Sequence, residues 1–111
     1  MNRIVMSPAA NAILRALTGR ARVERNRILL TDACSVDWCS LTINGERHQL
    51  RLRVPGPEAA SVVERMCDGL EDAEFSIPGV IVADIVLVDS SRRSLDGSIS
   101  LTVEALTVTE D

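Results

Sequence analysis

The sequence predicts an α+β fold, a largely antiparallel sheet of four to five strands with two helices packed on one face. Three observations carry this. Two stretches repeat apolar residues at helical spacing between Pro and Gly punctuation; two others, Arg47–Val54 and the run from Ile99 to Ala105, alternate; and Asn44-Gly45 stands between two expected strands. The order reads α-β-β-β-α-β-β, and 111 residues fit one domain spanning 1–111.

Arg3 to Met6 reads as a short opening strand. In SPAANAILRALTG, Ser7 suits an N-cap, Pro8 the first helical position and Gly19 the stop. Ala10, Ile13, Leu14 and Leu17 make one stripe along that helix. The basic segment GRARVERNR lacks clean periodicity and reads as an exposed arm, part of it helical. Strands are expected at Ile28–Thr31, Val36–Ile43 and Arg47–Val54, with Asn44-Gly45 as a two-residue hairpin turn. In the third, His48, Leu50, Leu52 and Val54 face one way while Arg47, Gln49, Arg51 and Arg53 face the other.

The second helix, PGPEAASVVERMCDGL, opens at Pro57 with Glu58 at its positive end. Ala59, Val62, Val63, Met66, Cys67 and Leu70 share its core-facing stripe. After the acidic EDAE and a turn at 76–79, Val80–Val88 is apolar on both faces except at Asp84, the pattern of a central strand. Asp89–Gly97 reads as a polar hairpin loop. Ser98–Thr109 returns with Ile99, Leu101, Val103 and Ala105 on one face. The phase then slips to Leu106 and Val108, as at a bulge or a switch of face.

Composition narrows the function classes. Hydrophobic residues make up 46%, enough to fill a core and too many for a disordered chain. Trp38 and Phe75 are the whole aromatic complement, which argues against a stacking platform for single-stranded nucleic acid. No apolar run approaches the length of a membrane span, and the start lacks the pattern of a signal peptide, so a cytoplasmic protein is expected. All twelve cations are Arg. Residues 1–55 hold nine of them against Glu24, Asp32, Asp37 and Glu46, whereas residues 56–111 hold Arg65, Arg92 and Arg93 against twelve acids. Two such poles attract each other between copies, and head-to-tail contact closes into rings. If the halves interleave in the fold, the poles vanish.

Chemistry-bearing residues are sparse. Cys34, Cys39, His48 and Cys67 could ligate zinc, but Cys-x4-Cys with an isolated His lacks the knuckle spacing of a structural site. Cys39 and Cys67 read better as small core hydrophobes, and three cysteines without an export signal argue against a structural disulfide. His48, on the inward face of a strand, reads as a satisfied, half-buried histidine. Asp84, inside an apolar strand, is expected to meet an Arg or lie at a sheet edge, since burying an unpaired carboxylate is costly. No Gly-rich phosphate loop occurs. Arg47, Arg51 and Arg53 form a fixed row of cations, and Arg92 and Arg93 sit at an expected hairpin tip. These five are the candidate residues of a subunit interface, unless neighbouring acids make them ordinary surface. No catalytic, metal or cofactor site is expected, and the chain does not read as an enzyme.

From Asp37 onward the chain resembles the tail-completion, or tail-terminator, proteins of long-tailed phages and gene transfer agents. DWCSLTINGERHQLRLRV is similar to that family's D-W-x-S … G-x-R segment leading into a strand. A helix like EAASVVERMCDGL follows, then GVIVADIVLVDSSRR and, after Asp96-Gly97, SISLTVEALTV; NAILRALTG fits the family's opening helix. GRARVERNRILLTDACS departs from the family's longer link, which often carries a Pro. The resemblance implies a virion structural protein without a cofactor. It would be a homo-oligomeric ring, usually a hexamer, capping the tail tube and meeting tube and head-completion proteins. It would touch neither nucleic acid nor membrane, and would be cytoplasmic during assembly and then part of the tail. The alternative expected from the residues is a small ferredoxin-like ligand-binding or regulatory module. A nucleic-acid binder built on the basic first half, and an enzyme centred on His48 or Asp84, are weaker rivals.

Overall fold

The amphipathic patterns find their places in a computed structural model that describes residues 5–93 and 95–109. Helix α1 is Pro8–Ala21, started as expected by the Ser7 hydroxyl, which accepts the Ala10 amide at 3.2 Å. Its end lies past Gly19, at Arg22, which takes the left-handed conformation (φ 58°) and donates its amide to the Gly19 carbonyl. After a 3-10 turn at Arg25–Arg27 come β1 (Leu29–Cys39) and β2 (Asn44–Val54). Helix α2 (Ala59–Cys67) and a second 3-10 turn (Leu70–Asp72) lead to β3 (Val80–Arg92) and β4 (Ile99–Thr109). The four strands form one antiparallel sheet in the order β1-β2-β4-β3. The α+β architecture is as expected.

Both helices lie against one face of the sheet. Leu50, Leu52 and Val54 of β2 and Leu101 and Val103 of β4 pack there with Ile13 and Leu17 of α1 and Val62 and Met66 of α2. Each such side chain, fully buried, contributes roughly 1.5–3 kcal/mol. Two guanidiniums tie the helix ends together. Arg20 donates to the Met66 carbonyl (3.1 Å) and to the Asp68 carbonyl, and Arg65 Nε donates to the Ala21 carbonyl at 2.8 Å. Each cation thereby answers the partial negative charge where the other helix ends.

The structure corrects several sequence expectations. Of the strand expected at 3–6, Arg3 and Ile4 lie outside the described residues, and Val5 and Met6 are not in a strand. Ile28–Thr31 and Val36–Ile43 are replaced by the single strand β1, so the sheet has four strands. The weak strand formers Asp32 to Ser35 are carried by the ladder to β2, with a bulge at Thr31. The β1–β2 turn is Ser40–Ile43, closed by the Ser40 amide on the Ile43 carbonyl at 2.8 Å, and Asn44-Gly45 begin β2. Strand β3 is an edge strand; β2 and β4 hold the centre. Its apolar residues on the uncovered side meet no second layer among the described residues.

No bulge interrupts β4, whose alternation runs on with Thr107 buried, so Leu106 and Val108 simply point to the other face. The irregularities of this strand pair fall in β3 instead, between Val82 and Asp84 and between Leu87 and Asp89. Strand β3 extends to Arg92, which shortens the β3–β4 loop at its start.

Candidate functional site

Among the described residues nothing covers the sheet face away from the helices, and the strand registers say what it presents. One row across it is Val36, Arg47, Leu106 and Asp84; the next is Cys34, Gln49, Glu104 and Val86; a third is Asp32, Arg51, Thr102 and Asp89. The first two rows line a shallow depression of about 330 Å³. Leu106, Val36 and Val86 give it an apolar floor, while Arg47, Asp84 and Glu104 supply charge of both signs. Gln49 Nε2 donates to Glu104 Oε2 at 3.1 Å, fixing one wall.

Beyond the depression, Trp38, Gly45, Val108 and Ile81 form the end row. The indole of Trp38 lies against Gly45 so closely that a Cβ on Gly45 would sit 2.8 Å from Trp38 Nε1 and 2.0 Å from the Thr107 carbonyl. That close approach explains why Trp and Gly occur together in this segment. Trp38 Nε1 is buried with no hydrogen-bond partner among the described residues.

The five Arg residues expected at an interface do not form one patch. Arg47 and Arg51 are exposed on the open face, with Asp32 directly across from Arg51 and Asp84 in the row of Arg47. Arg53 is engaged: its Nη2 meets Asp96 Oδ2 at 2.6 Å and its Nε meets Ser98 Oγ at 3.4 Å. Arg92 closes β3 and Arg93 begins the β3–β4 loop; both are exposed. Asp96 also accepts the amide and hydroxyl of Ser98, and these bonds, with Arg53 assisting, hold its carboxyl down to about 2.

His48 sits on the covered face, 2% exposed, between two hydroxyls. Ser35 Oγ lies 2.8 Å from Nδ1 and Thr107 Oγ1 lies 2.9 Å from Nε2. Thr107 donates its own proton to the Glu46 carbonyl, which leaves its oxygen to accept from Nε2–H and assigns Ser35 as donor to Nδ1. Burial pushes the imidazole pKa down, with the Glu46 carboxylate opposing. The chain Ser35–His48–Thr107 was not legible in the sequence. It satisfies a buried neutral ring; where a catalytic triad has an orienting carboxylate, it has a hydroxyl. The histidine is satisfied as expected, and more deeply buried than its strand position implied.

The four potential metal ligands are scattered. Cys34 and Cys39 are exposed on β1, His48 points to the covered face, and Cys67 is half-buried on α2. Among the described residues no three His, Cys, Asp or Glu side chains are placed to hold a metal. Cys67 fits its reading as a small hydrophobe beside the core, and burial pushes its thiol pKa up, with Arg20 opposing. Cys39 does not, since it is exposed at the end of β1. Asp84 lies exposed on an edge strand, one of the two placements expected for it.

Sequence reading missed the depression, although Val36, Val86 and Leu106, each out of phase with the core-facing alternation, were the available signal. No described helix is long and apolar enough to cross a membrane. No protein-family model and no curated protein matches the chain.

Proposed function

We propose that the chain is a structural subunit of a virion tail, a tail-terminator protein that caps the tube and offers a surface to the head-completion proteins. The observation that carries this reading is the uncovered sheet face. The helices all serve one side, while the other presents an apolar floor edged by charges of both signs, the make-up of a protein contact surface. Asp37 to Val54, one of the segments that resemble the family, runs through the β1–β2 hairpin that frames this face.

Disrupting the chain in a particle-producing strain and measuring tails by electron microscopy tests the reading. Headless tails of uncontrolled length are expected, and restoring the chain with Val36→Asp and Leu106→Arg should leave them uncontrolled. Normal tails joined to heads in the disrupted strain would overturn it. A second reading, the small ligand-binding module, draws on the same depression. It predicts a rise in Tm with some small metabolite in a screening panel, independent of any assembly.

A further inference from the structure

Charge on the open sheet face is sorted by strand. On β2 it is positive: Arg47 and Arg51 are exposed there, while Arg53 is spent on Asp96. On β3 it is negative: Asp84 and Asp89 are exposed there. Residues five apart on a strand ordinarily face opposite ways. The bulge between Leu87 and Asp89 resets the phase and brings Asp89 to the same face as Asp84. The registers then align the two pairs. Arg47, Leu106 and Asp84 share one row, and Arg51, Thr102 and Asp89 share another. Each Arg stands across β4 from its Asp, two strand spacings or roughly 10 Å apart. Neither closes into an ion pair among the described residues. Asp32 lies on the outer side of Arg51, on β1.

Between these two walls the floor is low. The depression of about 330 Å³ over Leu106 runs on, one row further, into a second of about 270 Å³ over Thr102 and Ser100. Glu104, the longest side chain of the floor, is held toward β2 by Gln49. The result is a trough along β4 from Leu106 to Ser100, about 20 Å long at the rise of a strand. That is the length of about 14 helical residues, and the gap between the walls matches a helix diameter of about 10 Å. A strand would find no partner here, because the ladders to β2 and β3 occupy the β4 backbone on both sides. A polyanion would meet Asp84, Asp89 and Glu104. A second copy has no spare helix to give, since the apolar stripes of α1 and α2 lie in its own core.

We propose that the trough seats one amphipathic helix of a different protein. That helix is acidic along the flank over β2, basic along the flank over β3, and apolar beneath, against Leu106 and Val86. The two charged rows are four residues of β4 apart, about 13 Å, which is close to two turns of helix. Acids two turns apart therefore reach Arg47 and Arg51, while bases on the other flank reach Asp84 and Asp89. Opposite signs on the two walls fix the direction and register of the helix as well as its place. The inference rests on the reading of the open face as a protein contact surface, and not on the tail.

Three labelled synthetic helices of about 14 residues, each with a Leu stripe, test it by fluorescence anisotropy against the full chain. One has Glu on one flank and Lys on the other; the second has Lys on both; the third has Glu on both. The mixed helix should bind about tenfold or more tightly than either of the others. Arg47→Glu with Arg51→Glu leaves two acidic walls and should transfer the preference to the Lys helix. Asp84→Arg with Asp89→Arg leaves two basic walls and should transfer it to the Glu helix. Circular dichroism checks that the variants fold, and either one alone decides. No binding up to about 1 mM, equal binding of all three, or an unchanged preference in a folded variant would overturn the inference. So would self-association of the chain that Leu106→Arg abolishes, which gives the trough to a second copy. Loss of tail control with Val36→Asp and Leu106→Arg but no helix preference keeps the contact surface and removes the helix. A helix preference alongside normal tails in the disrupted strain keeps the helix and removes the tail.

Discussion

Replacing Gly45 separates two accounts of the Asn44-Gly45 pair. As a hairpin turn it would need Gly for a positive φ, and Asn would be the best-tolerated substitute. In the structure the positive-φ glycines are Gly69, Gly79 and Gly97, and Gly45 is in a strand. What it lacks is room: a Cβ would lie 2.0 Å from the Thr107 carbonyl and 2.8 Å from the Trp38 indole nitrogen. The first neighbour is backbone of a central strand, so β2 and β4 must part by more than an ångström to admit a methyl group. Overpacking of that kind costs ~1–3 kcal/mol, and a backbone hydrogen bond lost beside it adds ~0.5–1.5 kcal/mol. Gly45→Ala should therefore destabilise by about 2–4 kcal/mol, a large share of the ~5–15 kcal/mol that holds a domain folded. Tm should fall by roughly 10 °C or more. Gly45→Asn should be at least as damaging. Urea unfolding followed by far-ultraviolet circular dichroism gives the free energies, and Trp38, the sole tryptophan, reports by fluorescence from the contact itself. An Ala variant within about 0.5 kcal/mol of the parent, or an Asn variant more stable than the Ala one, would refute the close-approach account.

Further outcomes follow from particular contacts. His48 is held neutral by burial, so its folded pKa lies below its unfolded value of 6.5. Stability is then fully present above pH 6.5 and is lost as pH falls below it, because the unfolded chain binds the proton first. Urea midpoints between pH 8 and 5 should show that slope, and His48→Gln should flatten it. Asp96 acts in the same sense over a lower range: its contribution is present above the unfolded value of 3.8 and is lost as pH falls toward about 2. Asp96→Ala should leave the Ser98 amide exchanging faster with solvent, measured by hydrogen exchange, while the amides of central β2 stay protected. Arg20→Ala and Arg65→Ala should each lower stability by roughly 1 kcal/mol through the lost helix-end bonds. Because both act on one joint, the double variant should depart from additivity in a mutant cycle.

Much of the fold was legible because it rests on local patterning. The stripes of α1 and α2 and the alternation of β2 state which residues turn inward, and burial of an apolar face leaves few ways to satisfy them. Ser7 and Pro8 started α1 where capping chemistry says they should. Other features were set only by what lies beside a residue in space. Val80–Val88 looks central because it is apolar on both faces, yet the chain places β4 between it and β2, and no local signal encodes that order. Asp32 to Ser35 are poor strand formers, made strand by the ladder to β2. Asn44-Gly45 carries a strong turn signal, but the packing of Trp38 against Gly45 pairs both residues into the sheet. The sequence by itself also determined the charge excess of each half. Where those charges fall in space was decided only by the tertiary structure, because electrostatics depends on distance in space and not along the chain.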